Sequence, residues 1–90
     1  MIFRYYIGSD NTTGELEEER AVSIIAKQFE GFTAFKGLGY WQGIAENTLI
    51  VEVETENEEA VKQLAKNLAK ELKQDAIGLA KAGSMEFITA

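Results

Sequence analysis

Residues 48–73 read TLIVEVETENEEAVKQLAKNLAKELK, and a change of period inside this stretch decides the fold. From Thr48 to Glu54 the side chains alternate. Leu49, Val51 and Val53 share one face, and Ile50, Glu52 and Glu54 share the other, which is the two-residue repeat of a strand. Beyond Glu58 the repeat becomes helical: Val61, Leu64, Ala65, Leu68 and Leu72 fall within one narrow arc. Thr55 and Glu58 stand at capping-box spacing, and Glu56, Glu58 and Glu59 put negative charge at the positive end of the helix dipole. Lys62, Lys66, Lys70 and Lys73 cluster away from the apolar arc, as a solvated face would.

Upstream, residues 32–41 (FTAFKGLGYW) form an extended aromatic segment, and 42–47 (QGIAEN) connect it to the strand above as an antiparallel hairpin. Residues 2–7 (IFRYYI) are β-branched and aromatic, a first strand followed by the turn-rich loop 8–14 (GSDNTTG). Thr12 precedes Glu15 at capping-box spacing, and Val22, Ile25, Ala26 and Phe29 recur at helical spacing. A first helix is therefore expected from about 15 to 30, with Gly31 as its stop. Two short apolar runs close the chain, AIGLA at 76–80 and MEFI at 85–88, either a strand and its continuation or a small terminal hairpin. The order is β-α-β-β-α-β, with an extra C-terminal strand as an option. It is the order of a single ferredoxin-like α+β domain over residues 1–90, an antiparallel sheet with both helices on one face.

The composition excludes several chemistries. Histidine and cysteine are both absent, which rules out a Cys/His zinc site, a thiol nucleophile and a Ser-His pair within one subunit. Asp10 and Asp75 are the only aspartates, so no calcium-type loop of closely spaced Asp and Asn exists, and no metal or cofactor is expected. A net charge of −6 argues against a nucleic-acid-binding surface. No apolar run approaches membrane-spanning length, and the N-terminus reads as a strand rather than a signal peptide. A cytoplasmic acidic domain is the expectation.

Two surfaces draw attention. The strands are apolar in both registers, so the sheet face without helices is expected to carry an apolar patch built from Ile2, Tyr6, Leu38, Tyr40 and Ile50. Self-association into a dimer or larger assembly is the simplest cover for it. The segment from Gly37 to Gly43 is the other. Its glycines allow close approach, and Trp41 offers a flat face with an N–H donor. If the hairpin tip meets the end of the second helix, Trp41, Glu46, Gln74 and Asp75 form a polar ligand-binding pocket. The alternative is structural: the glycines permit twist, Trp41 plugs the end of the core, and Glu46 or Gln74 bonds to loop backbone.

Four short motifs carry a resemblance: Gly31-Phe32-Thr33, Gly39 with Trp41 two residues on, Glu46, and Gln74-Asp75-Ala76-Ile77. With them the chain resembles a group of small ferredoxin-like proteins of unknown function, over about residues 2–80. The resemblance implies a fold and a set of polar positions, Trp41, Glu46 and Gln74, and it implies no activity. Asp75 stands where the group more often has Glu, and the C-terminal SMEFITA lies outside the shared pattern.

Three functions are consistent with these residues. The first is a non-catalytic, homo-oligomeric interaction or assembly module. The second is a regulatory domain binding a small metabolite near the hairpin tip. The third is a cofactorless enzyme of the dimeric ferredoxin-like kind, with Glu46 or Glu52 beside Tyr5, Tyr6 or Tyr40. The lack of histidine and of a recognisable catalytic constellation, with no catalytic residue assigned, leans away from that third function.

Overall fold

The computed structural model describes residues 1–10, 12–81 and 84–89. In chain order the elements are β1 (Ile2–Ile7), α1 (Glu18–Ala26), β2 (Thr33–Trp41), β3 (Ile44–Glu54), α2 (Glu58–Glu71), β4 (Ala76–Lys81) and β5 (Ser84–Thr89). All five strands join one antiparallel sheet in the order β2-β3-β1-β4-β5. This is the ferredoxin-like α+β arrangement with a fifth strand added at the β4 edge. The two C-terminal apolar runs are therefore a terminal hairpin, with Ile77 opposite Ile88 and Gly78 opposite Phe87.

Alternation sorts each strand into two faces. Phe3, Tyr5 and Ile7 of β1, Leu49, Val51 and Val53 of β3, and Ile77 and Leu79 of β4 turn toward the helices and are buried. They meet Ala21 and Ile25 of α1 and Val61, Leu64, Ala65, Leu68 and Ala69 of α2, together with Leu72 just beyond its end, in one core. The arc read from the sequence of α2 is the buried face of that helix.

Three local expectations need correction. First, α1 runs only from Glu18 to Ala26. Its N-cap, Glu17, makes no side-chain capping bond, and Thr12 caps no helix: its N–H and that of Thr13 donate to Asp10 Oδ1 at 2.7 and 2.8 Å. That Asx turn and Asp10 N–H on the Glu15 carbonyl hold Asp10 and residues 12–15 in a loop ahead of the helix. The stripe it buries centres on Ala21 and Ile25, which leaves Ala26 exposed. Second, the N-cap of α2 is Asn57, whose Oδ1 accepts from Ala60 N–H at 3.1 Å, while Thr55 Oγ1 accepts from Asn57 N–H. Third, β3 begins at Ile44, so the β2–β3 connection is a two-residue turn. Gln42 and Gly43 both have positive φ, 51° and 79°, the backbone that suits a tight hairpin.

The long hairpin has a consequence for the surface. β1 pairs β3 only from Leu49 to Glu54, so residues 37–41 and 44–48 run beyond it as a two-stranded arm. Among the described residues, no helix is long and apolar enough to cross a membrane.

Candidate ligand-binding cleft

The sheet face away from the helices is polar at one end, where Arg4 Nε donates to Glu52 Oε2 at 2.7 Å and the pairing raises the guanidinium pKa. Its other end is a cleft. The register places Gly39 of β2 opposite Glu46 of β3, and Gly78 of β4 between Tyr6 of β1 and Phe87 of β5. Gly8 continues β1 on the same face. Glycines on β2, at the end of β1 and on β4 carry no side chains there and form parts of a floor that the Glu46 and Thr48 positions of β3 complete. The space above it, about 600 Å³, is walled by Tyr6, Trp41 and Phe87, with Glu46, Thr48, Gln74 and Asp75 around the rim.

The floor is tight where it meets side chains. A Cβ added at Gly39 would stand 2.7 Å from Thr48 Oγ1, and one at Gly78 would stand 3.2 Å from the Tyr6 Cβ and 3.5 Å from a Phe87 ring carbon. One at Gly8 would meet the Glu46 carboxylate.

Polar side chains stitch this corner of the cleft together. The Gln74 amide donates to the Gly8 carbonyl at 2.5 Å, and the Ser9 hydroxyl donates to the Asn47 carbonyl at 2.7 Å. Gln74 arrives there because α2 ends in a Schellman-type reversal. Gln74 N–H bonds the Ala69 carbonyl, Lys73 N–H bonds the Lys70 carbonyl, and Lys73 takes φ 54°. That reversal delivers Gln74 and Asp75 to the cleft and starts β4 beneath it.

The structure thus brings Trp41, Glu46, Gln74 and Asp75 to one cleft, and Trp41 does not plug the core: it is 73% exposed. The five residues expected on a common apolar face are divided. Ile2, Tyr6 and Ile50 lie on the open face. Leu38 and Tyr40 belong to the other register, because Phe35 is the β2 residue opposite Ile50, and they are exposed on the helix side of the arm, where Tyr40 still borders the cleft. Phe35, Trp41 and Ile44 take their places on the open face. Gly8, Ser9, Thr48, Gly78 and Phe87 are additions that no local sequence signal marked.

Among the described residues, Glu46 and Asp75 are the charged side chains lining the cleft, and no lysine or arginine joins them. Such a site repels phosphates and favours a cation or a neutral ring. Among the described residues, no group of three or more carboxylates gathers as a metal site would need.

The fold is similar to that of solved structures. The phage SAM lyase in its apo state superposes with a TM-score of 0.60 at 21% identity, over 99% of this chain and 88% of that one. The phage SAM lyase in complex with S-methyl-5′-thioadenosine superposes with the same score and coverage at 18% identity. At these identities the likeness concerns the fold. No protein-family model matches the chain, and no curated protein does.

Proposed function

We propose that the cleft binds S-adenosylmethionine and that the chain is a cofactorless lyase acting on a carbon–sulfur bond of that sulfonium. The observation that carries this reading is the lining: aromatic walls over a glycine floor, with Glu46 and Asp75 as the charged groups. A sulfonium is drawn to carboxylates, a flat heteroaromatic ring stacks on exposed aromatic side chains, and a nucleotide phosphate is disfavoured. A space of about 600 Å³ suits a ligand of nucleoside size.

The shared fold with a phage SAM lyase, one form of which holds S-methyl-5′-thioadenosine, supports the same class of ligand. That thioether is what S-adenosylmethionine leaves when sulfur keeps the electron pair of its bond to the amino-acid chain. The carbon end is satisfied within the same molecule: the substrate's own carboxylate oxygen bonds to the γ-carbon as its bond to sulfur breaks, giving a lactone. The thioether departs neutral and no outside nucleophile is needed, so the protein's task is to hold and orient the cation, which carboxylates and aromatic rings can do without histidine or cysteine. This joins the ligand pocket to the cofactorless-enzyme reading of the sequence.

The test is to incubate the purified protein with S-adenosylmethionine and follow S-methyl-5′-thioadenosine by chromatography against the spontaneous background. Protein-dependent release is expected, falling at least tenfold in Trp41→Ala and Glu46→Gln, with ATP giving no thermal stabilisation. Release that neither substitution alters would remove the cleft from the reaction. Absence of both binding and release would overturn the reading.

A second reading, self-association, rests on the arm. Leu38 and Tyr40 on one side and Trp41 and Ile44 on the other are each at least 65% exposed, an apolar surface on both faces of a projecting hairpin. Native mass spectrometry is expected to give a dimer or larger species that Tyr40→Glu splits. An unchanged mass in that variant would discard the arm as the contact.

A further inference from the structure

We propose that Gly8 is a positioning residue for Glu46: the missing side chain at position 8 is the place where the carboxylate rests. The proposal builds on the reading of the cleft as a cation site, and it names what sets the location of the charge.

Three observations meet at this corner. A Cβ built on Gly8 would stand 2.9 Å from Glu46 Oε1, 3.4 Å from Cδ and 3.5 Å from Oε2, so the whole carboxylate lies against the bare Cα. The Gly8 carbonyl is held by the Gln74 amide at 2.5 Å, which ties the end of β1 to the segment following α2. The neighbouring Ser9 hydroxyl holds the Asn47 carbonyl at 2.7 Å, which fixes the backbone of β3 next to Glu46. Both sides of the contact are therefore anchored, and the carboxylate is the part free to yield.

The glycine is not required by its backbone. Gly8 is absent from the residues with positive φ, so alanine is compatible with its conformation. What alanine changes is steric. Its methyl would meet the far end of a flexible side chain, a contact relieved by swinging Glu46 away and not by moving the strand. Gly8→Ala should therefore move a charge while sparing the fold.

The experiment is a double-mutant cycle read by calorimetric titration with S-adenosylmethionine, using wild type, Gly8→Ala, Glu46→Ala and the double variant. Gly8→Ala is expected to weaken binding about tenfold with a melting temperature within a few degrees of wild type. In the Glu46→Ala background, where no carboxylate remains to displace, the same change is expected to cost nothing further. Additive losses, or wild-type affinity in Gly8→Ala beside a weakened Glu46→Ala, would overturn the positioning role and leave the cation-site reading standing. Wild-type affinity in Glu46→Ala would instead remove the cation-site reading. The seat is then judged by the crystal structure of Gly8→Ala, where a carboxylate still lying over residue 8 would overturn it and a displaced one would support it.

Discussion

The phenol of Tyr5, on the central strand, donates a 2.8 Å hydrogen bond to the backbone carbonyl of Val61 in the first turns of α2. The pair is 56 residues apart in sequence and fully within the core. It joins the sheet to the helix whose C-terminal reversal delivers Gln74 and Asp75 to the cleft. Apolar packing sets how closely the two layers approach, but it slides easily. A directional bond to one carbonyl also sets where along α2 the strand sits.

Replacing Tyr5 by Phe keeps the ring and deletes the donor, which leaves the Val61 carbonyl with only its helical partner. A loss of about 1–2 kcal/mol is expected, read as a lower urea midpoint at unchanged slope. A change below a few tenths would mean that the hydroxyl contributes packing only.

The same phenol predicts an alkaline limb. Burial pushes its pKa above the ordinary value of 10.0. Below pH 10 both folded and unfolded chains hold the proton, and the contribution is complete. Above it the unfolded chain releases the proton while the folded chain retains it, so stability falls as pH rises. Lys62, raised by Glu58 and Glu86, loses its own contribution in the same direction. The difference between wild type and Tyr5→Phe isolates the phenol. The melting-temperature gap between the two should shrink steadily above pH 10, and a constant gap would contradict the assignment.

The acid limb involves the charges that join α2 to β4 and β5. Glu58, in the first turn of α2, pairs with Lys81 of β4 and with Lys62, which reaches Glu86 of β5 at 3.7 Å. The Lys81 hydrogen bond, with help from Lys62, holds the Glu58 pKa below its ordinary value of 4.5. The sign is that of a depressed carboxylate: the contribution is present above pH 4.5 and disappears as pH falls through the folded-state value. Glu58→Gln is expected to lower the melting temperature at pH 7 and to flatten the profile between pH 5 and 3. Parallel profiles for the two proteins would show that the cluster is screened to nothing.

How much of this was legible in the sequence depended on whether a signal was local. The 3.6-residue period of α2 and the alternation of β3 are each written within one element, and both are found where the residues put them. The ends were harder, because three of them use residues other than the expected ones. Lys73 occupies the left-handed position where glycine announces a Schellman turn, Gln42 occupies one where asparagine announces a tight hairpin, and Asn57 caps the helix that Thr55 was expected to cap. The site divided the same way. Trp41 and Glu46 flank one turn, and Gln74 and Asp75 follow one helix, so placing the turn beside the helix end was enough to group them. Gly8, Gly78 and Phe87 enter the cleft only through the β1–β4–β5 register, which no short-range pattern encodes. The division of Leu38 and Tyr40 from Tyr6 has the same origin, because a one-residue change of register reverses the faces of a strand.

Asn57 tests the cap that replaced the expected one. Its Oδ1 accepts the Ala60 N–H at 3.1 Å at the start of the helix. Asn57→Ala should cost about 0.5–2 kcal/mol, and Asn57→Asp, which retains the acceptor, should cost much less. Equal losses from the two would point to the Thr55–Asn57 contact as the effective stop signal.

The arm itself can be loosened without touching the core. Gly43 sits at φ 79°, where a Cβ is strained, although nothing lies within 4 Å of the position a side chain would take. Gly43→Ala should therefore act through the backbone alone, at about 1–2 kcal/mol. The turn closes a hairpin whose outer residues have no third strand beside them, so the effect should be local. Hydrogen exchange is expected to accelerate at residues 38–46, while amides of β1 and β4 keep their protection. Gln42→Asn, which suits the neighbouring φ of 51°, should do the reverse. Because Trp41 and Glu46 lie just either side of this turn, the same pair of variants should move ligand affinity in opposite directions. If exchange changes at the arm while affinity for S-adenosylmethionine does not, the hairpin tip is a passive rim, and the binding groups lie on the β1–β4–β5 side of the cleft.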